Sequence, residues 1–228
     1  MGARRVAIGT AVLVLVLAGA VVADRFARGE AQDAGVHEVK AALHGLAGDP
    51  SVVIGGFPVL TQLASGTLTK VTIRADALTF DGVEFTHVHI DAAGVTITKP
   101  YAVHRAVLTG TLSAQTLQRL LASRARVDLD LSVHGNRLVA SSGLLGRDVA
   151  VVLVPRVQDG AISVDVATLR LGGLAVEVNA LPGALATRLS DVAVPLDGLP
   201  AGLVLTAIAV RDGGVRITAI GTDVALDR

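Results

Sequence analysis

The sequence predicts an α+β fold in which a long, curled, mostly antiparallel sheet is partly covered by helices. From Lys70 onward, segments of alternating apolar and polar residues follow one another, with turn residues between them. The connections between these segments are short, which favours antiparallel neighbours. Ahead of them, residues 26–46 carry apolar side chains at helical spacing. We therefore expect one domain over residues 26–228, preceded by a targeting segment at residues 1–25.

The composition excludes several classes of function. The 228 residues include 20 basic and 20 acidic side chains, so the net charge of +0 gives no electrostatic reason to expect a nucleic-acid partner. Hydrophobic residues make up 51% of the chain and aromatic residues only 2%. The interior must then consist of aliphatic side chains, which form smooth apolar walls on a pleated sheet. The chain has no cysteine, which excludes disulfides and thiolate chemistry.

The N-terminus has the features of a targeting segment. Arg4 and Arg5 precede an uncharged run, residues 6–23, which Asp24 ends. As a helix this run extends about 27 Å, close to the thickness of the hydrocarbon core of a bilayer. Two interpretations stay open, a signal peptide cut after Ala23 and an uncleaved signal anchor. In both cases the rest of the chain is exported. We expect a cell-envelope protein, tethered to the outer face of the plasma membrane or released into a periplasm-like space.

The first helix of the domain is predicted over residues 26–46. Apolar side chains recur there at spacings of three and four residues, at Val36, Val39, Leu43 and Leu46. A Gly-Asp-Pro sequence follows and predicts the end of the helix.

Turn residues separate the predicted strands and indicate hairpins. Asp81-Gly82 follows one alternating segment and precedes the next, a pattern typical of a tight β-hairpin. About ten strands are expected in this way. Further turn pairs of the same kind are Gly135-Asn136, Asp159-Gly160, Gly172-Gly173 and Asp212-Gly213.

Two short helices are expected to interrupt the strands. Three leucines share one face of the segment Ala114–Ala122, and Ser113 precedes it with a side chain suited to capping a helix N-terminus. The second short helix is predicted over residues 184–189.

The strands are apolar on one face and polar on the other, and whether the predicted helices cover the whole apolar face decides the function. If they leave part of it uncovered, that concave surface forms a groove or tunnel for an acyl chain. The candidate lipid-lining residues are Val71, Ile73, Leu129, Leu131, Val151, Leu153, Ile162 and Val164. Three arginines cluster at the end of the predicted helix Ala114–Ala122 and just after it. These candidates for contact with anionic headgroups are Arg119, Arg124 and Arg126.

No pattern in the sequence predicts catalysis, a cofactor or a metal. His87 and His89 have a two-ligand spacing for zinc, but no third ligand is evident. Asp128 and Asp130 alternate on one strand face, as solvated carboxylates do, although paired carboxylates also occur in glycosidases. We interpret all four as outward-facing residues and expect a protein that is not an enzyme.

Two stretches resemble one known family. The first contains Gly56-Phe57-Pro58 and Leu60-Thr61-Gln62 ahead of a strand, and the second contains Leu199-Pro200-Ala201-Gly202-Leu203 and Gly221-Thr222-Asp223-Val224. Together they resemble the LmeA-like phospholipid-binding proteins of actinobacterial cell envelopes. The resemblance covers nearly all of the chain beyond the leader.

The resemblance implies an architecture similar to tubular lipid-binding (TULIP-like) domains. In these a strongly curved, mostly antiparallel sheet wraps around a long N-terminal helix and encloses acyl chains. It also implies phospholipid binding, membrane association and a role in envelope lipid or lipoglycan maintenance, without catalytic residues. The alternative is a non-enzymatic envelope scaffold with a closed core that supports a membrane glycosyltransferase.

Overall fold

The structure is a computed structural model that describes residues 2–42, 45–80, 82–98, 100–120, 122–123, 130–144, 147–158, 160–171, 174–177, 192–194, 202–211 and 213–225. The α-helices of the described residues are α1 (Gly2–Ala42), α2 (Val59–Ser65) and α3 (Ala114–Leu120). The strands are β1 (Leu46–Ala47), β2 (Ser51–Gly55), β3 (Thr67–Phe80), β4 (Val83–Thr96), β5 (Ala102–Leu112), β6 (Asp130–His134), β7 (Arg137–Leu144), β8 (Arg147–Gln158), β9 (Ala161–Leu171), β10 (Leu174–Glu177), β11 (Val192–Val194), β12 (Leu203–Arg211) and β13 (Gly214–Ala225).

The strands form two antiparallel sheets, where the sequence predicted one long sheet. The seven-stranded sheet has the order β1-β3-β4-β5-β13-β12, and β2 also pairs with β3. The six-stranded sheet has the order β10-β9-β8-β7-β6, and β11 pairs with β9. The predicted α+β class and the antiparallel pairing are confirmed. The chain changes sheet after β5, where α3 follows and β5 pairs with the distant β13 instead of β6.

Several strands are longer than their sequence patterns suggested. β3 and β4 each contain 14 residues, or about 46 Å of extended chain. The two strands continue through Asp76-Ala77 and Ala93-Gly94, although these residues interrupt the alternation of apolar and polar side chains. The pairing of β4 with β5 shifts register at a bulge between Thr86 and His89. His87, within this bulge, has a φ of 51°.

The predicted tight turns join neighbouring strands. Phe80 pairs with Val83 across the Asp81-Gly82 turn, which confirms that hairpin. The same pairing across a predicted turn joins His134 to Arg137, Gln158 to Ala161, Leu171 to Leu174 and Arg211 to Gly214.

The targeting segment and the first helix form one continuous helix, α1, of 41 residues. Asp24, Arg28 and Gln32 are spaced four apart on one face, and each hydrogen-bonds to backbone of the β2–α2 segment. These bonds hold α1 against the edge of the seven-stranded sheet. In the part of the chain described here, no helix is both long and apolar enough to span a membrane.

The end of the first helix differs from its prediction. The described helix ends at Ala42, and Leu46 lies in β1 opposite Leu78 instead of continuing the helix. Between them Gly45 has a φ of 152°, and its carbonyl accepts a hydrogen bond from Thr79 N at 2.8 Å. This left-handed backbone turns the chain onto the edge of β3, because a side chain at position 45 would collide with the Thr79 carbonyl.

The short helices agree only partly with expectation. The α3 prediction is confirmed, and Ser113 caps it by accepting a hydrogen bond from Thr116 N at 3.0 Å. Helix α2 was not predicted, since its apolar stretch was too short to show a helical period. The helix predicted over residues 184–189 lies outside the described residues.

Two hydrophobic clusters form most of the described core. The helix-side cluster joins α1 to the seven-stranded sheet, and its buried members are Val52, Ile54, Val59, Leu68, Val71, Ala92, Val103, Ala106 and Val224. The intersheet cluster joins the two sheets, and its buried members are Val83, Leu112, Leu131, Leu138, Ala140, Leu153, Ile162, Leu205, Val210, Val215 and Ile217.

Candidate functional site

The predicted lipid-lining residues are divided between the two clusters. Val71 and Ile73 pack in the helix-side cluster, beside residues of α1. The others that can be placed pack in the intersheet cluster, and they are Leu131, Val151, Leu153, Ile162 and Val164. Leu129 lies outside the described residues. These residues therefore do not share one wall. Leu153 also lines the larger of the two cavities described below, and contact of these residues with lipid stays a prediction.

A groove runs along the other face of the six-stranded sheet and, at one end, reaches Leu153 and Val210 of the intersheet cluster. On β8, Val151 and Leu153 pack in the intersheet cluster, whereas Ala150 and Val152, which alternate with them, project to the opposite side. On β7 the neighbouring Val139 does the same. The outward face of these strands is thus apolar at positions where a solvated sheet would carry polar side chains.

The groove consists of two adjoining cavities, of about 610 Å³ and 470 Å³. Both lie in the size range of pockets that bind small ligands. Val152 lines both cavities and pairs with Val139 across the β7–β8 ladder. At one end of the larger cavity, Ile208 and Val210 of β12 add further apolar surface. We call this surface the sheet groove, with Val139, Ala150 and Val152 as its floor.

Two arginines flank the floor of the sheet groove. Arg137 and Arg170 line both cavities, and Asn136 and His134 lie beside Arg137 at the β6–β7 turn. In the ladder Arg170 pairs with Ala150, two strands from β7. From ideal sheet spacings, the Cα atoms of the two arginines are roughly 16 Å apart. The arginines thus lie at opposite margins of the apolar floor.

Both arginines are available to an anion. Their side chains are exposed. Among the side chains that the structure describes, no carboxylate lies within 4.0 Å of the guanidinium group of Arg137 or Arg170. A guanidinium group presents planar donors that match the geometry of phosphate. The site therefore combines an apolar floor with free cationic groups at its margins.

The headgroup candidates predicted from the sequence lie elsewhere. Arg119 is exposed on α3, where its Nη2 donates to Thr116 Oγ1 at 3.3 Å, and it does not line the sheet groove. Arg124 and Arg126 lie outside the described residues.

The sequence did contain one signal for the sheet groove. Val149–Val154 is an uninterrupted apolar run, whereas a strand with one solvated face alternates. Such a run indicates that both faces of β8 are apolar. Arg137 and Arg170 had no such signal, because their positions beside the floor depend on the pairing of β7, β8 and β9.

The histidine and aspartate pairs make ordinary polar contacts. His87 is exposed in the β4 bulge, while His89 Nε2 lies 2.9 Å from Asp91 Oδ2. Thr72 donates to Asp91 at 2.7 Å, and this bond, with smaller contributions from His89 and Lys70, holds the pKa of the Asp91 carboxyl below its usual value. No cluster of three or more potential metal ligands occurs among the described residues.

Of the predicted carboxylate pair, Asp130 is exposed on β6 and accepts a hydrogen bond from Gln118 Nε2 at 3.3 Å. Asp128 lies outside the described residues. Asp130 thus contacts an amide on the neighbouring helix α3, which is an ordinary surface contact.

Comparison with known proteins gives one match. The model of a family described as LmeA-like phospholipid-binding matches residues 22–220, most of the chain. Neither the curated proteins nor the solved structures contain a match to this chain.

Proposed function

Because the chain belongs to the LmeA-like phospholipid-binding family, we propose that it binds a phospholipid in the sheet groove, with acyl chain on the floor and phosphate at a flanking arginine. Family membership supports the class of ligand. The location rests on one observation, an apolar floor between Arg137 and Arg170, neither of which has a carboxylate partner among the described side chains.

The expected energetics assign different roles to the floor and the arginines. Each buried methylene contributes about 0.8 kcal/mol, so ten methylenes contribute roughly 8 kcal/mol before the cost of association. A hydrogen bond to a charged group contributes about 1.5–3 kcal/mol. The floor would then supply most of the affinity. The arginines would orient the lipid and favour headgroups that carry phosphate.

The proposal places the protein in the cell envelope, exported and associated with the membrane. The arginine pair followed by the uncharged run of residues 6–23 supports export. In that location a non-catalytic phospholipid-binding protein would serve envelope lipid or lipoglycan maintenance, by carrying or presenting lipid. A scaffold that supports a membrane glycosyltransferase is the alternative, and it would need no occupied groove.

Lipid retention tests the proposal. The 228-residue chain, extracted from membranes in mild detergent, is released from micelles in a native mass spectrometer. We expect a species heavier than the chain by the mass of one phospholipid, with fragmentation that gives its headgroup and acyl chains. If no lipid co-purifies and none can be loaded from phospholipid vesicles, the proposal is wrong and the scaffold alternative is favoured.

A further inference from the structure

Large apolar side chains are exposed around one short section of α1. Val22 and Phe26 on the helix are 68% and 72% exposed, and Phe57 on the following loop is 65% exposed. Val21 and Leu60 are 40% and 45% exposed. Two of the four phenylalanines of the chain are in this set. The concentration is unusual, since single apolar residues scattered over a surface need no explanation but a group of them at one level of a helix does.

Two hydrogen bonds fix the Phe57 loop and the start of α2 beside the same section of α1. Asp24, which is only 2% exposed, accepts a bond from Leu60 N through Oδ1 at 3.0 Å. One turn further along the helix, Arg28 Nη2 donates to the Gly56 carbonyl at 2.7 Å. These bonds hold Phe57 and the start of α2 against α1 at the level of residues 24–28.

The loop that presents Phe57 is well supported. Gln62, buried beneath it, accepts a bond from Thr69 N at 2.9 Å, and its amide nitrogen lies 3.3 Å from the Gly55 carbonyl. Gly56 has a φ of 87°, and a Cβ there would lie 2.4 Å from Thr69 Oγ1. The backbone of the loop is therefore packed against Gln62 and Thr69, and the side chain of Phe57 projects into solvent.

The five apolar residues surround the helix. Val22 and Phe26 are four residues apart and so lie on one side of α1. Asp24 and Arg28 lie on the opposite side, where they hold Phe57 and Leu60. From residue 21 to residue 26 the helix rises about 7.5 Å. For a helix that enters the bilayer end-on, this rise is comparable to the depth of about 5–10 Å to which an interfacial apolar face is buried.

We propose that this collar, Val21, Val22, Phe26, Phe57 and Leu60, sits in the boundary between headgroups and acyl chains of a lipid bilayer. The uncharged run of residues 6–23 lies on the same helix and leads directly into the collar. Phenylalanine and leucine are typical of the apolar face of segments that lie in this boundary. The exposed Arg25 lies within the collar, where an anionic headgroup would meet it.

The collar would fix the orientation of the domain on the membrane through two elements, α1 and the Phe57 loop. A helical tether alone would leave the domain free to turn above the surface. The inference shares membrane association with the proposed function but does not involve the sheet groove, so each can fail without the other.

The absence of cysteine allows a direct test. The single substitutions Phe57→Cys and Leu60→Cys each provide one thiol on the collar, to which a thiol-reactive spin label is attached. Val204→Cys, at a position 54% exposed on β12, is labelled in the same way as the matched control. Each full-length variant is reconstituted into vesicles of phosphatidylcholine and phosphatidylglycerol. Collision with oxygen and with a water-soluble nickel chelate then reports the depth of each label.

We expect nickel-chelate accessibility at positions 57 and 60 to be severalfold lower than at position 204, with oxygen accessibility correspondingly higher. Accessibility at positions 57 and 60 equal to that at position 204 would overturn the inference, and so would failure of the chain to associate with vesicles. Lipid retention in the sheet groove, measured by native mass spectrometry, is unaffected by either result.

Discussion

At the scale of single residues, charge position decides how the domain is held together and what it can bind. Asp24 is buried with one hydrogen bond, and Arg28 Nη2 lies 3.6 Å from its second oxygen. Arg137 and Arg170 are exposed, and the described side chains provide no carboxylate for either. The first pair of charges is used for structure, whereas the two arginines are the proposed contacts for the phosphate of a lipid.

Removing either groove arginine should weaken binding of a phospholipid without unfolding the domain. For Arg137→Gln or Arg170→Gln we expect a loss of about 1.5–3 kcal/mol at the arginine that contacts phosphate, or roughly 10- to 100-fold in Kd. Titration with a fluorescent phosphatidylglycerol measures this. Arg105→Gln, an exposed arginine on the seven-stranded sheet, is the matched control and should leave Kd unchanged. Unchanged affinity in both groove variants would show that the phosphate of the lipid does not bind at these arginines.

Asp24 should contribute measurably to stability, because it caps α2 from across the fold. The N-cap position of α2 is Pro58, which makes no side-chain capping bond, and Leu60 N is bonded by Asp24 instead. Loss of a helix cap costs about 0.5–2 kcal/mol. In chemical denaturation we expect Asp24→Ala to lower the free energy of unfolding by that amount. Asp33→Ala, an exposed acidic residue on the same helix, should change it little. Equal values for the two variants would contradict this role.

At the scale of elements, the hairpins follow from local chemistry and the arrangement of the hairpins does not. Gly82 and Gly135 have φ values of 72° and 62°, and the turn sequences that contain them predicted two of the hairpins. The pairing of β5 with β13 joins residues more than a hundred positions apart, as Leu112 and Val215 show. Such pairings depend on packing between distant segments, so the division into two sheets was not predicted from turns and alternation.

The same distinction applies to the candidate site. The inward aliphatic faces of the strands were predicted, and the described core buries them mostly in two clusters instead of along one wall. The floor of the sheet groove includes the opposite face of β8. The apolar run Val149–Val154 indicated this second apolar face, whereas the alternating pattern of the other strands indicated only one apolar face. Whether an aliphatic strand face lines a core or a cavity depends on what the rest of the chain packs against it.

Filling the floor of the sheet groove should abolish lipid loading. The side chain of Ala150 faces the smaller cavity of about 470 Å³, so Ala150→Phe occupies acyl-chain volume without overpacking the intersheet cluster. We expect native mass spectrometry to show loss of bound lipid and thermal denaturation to show an unchanged midpoint. Ala93→Phe, at a partly exposed position on β4, is the matched control and should retain lipid. Equal lipid retention in both variants would show that the groove floor is not the acyl site.

At the scale of the whole molecule, the two proposed lipid contacts lie on different elements and have different forms. The collar is an exposed ring around α1, suited to a bilayer surface, whereas the sheet groove is a concave surface suited to single lipid chains. A protein with both would remain seated on a membrane while it holds one lipid. This division of roles depends on the groove being the site that holds the lipid.

Photochemical cross-linking is the most direct test of that claim. The 228-residue chain is loaded with a phosphatidylglycerol that carries a diazirine in its acyl chain, irradiated, digested and analysed by mass spectrometry. We predict that the label lies on peptides from β7, β8 and β9, which contain Val139, Ala150 and Val152. Label concentrated on β3, around Val71 and Ile73, or absent from the loaded protein, would contradict the account.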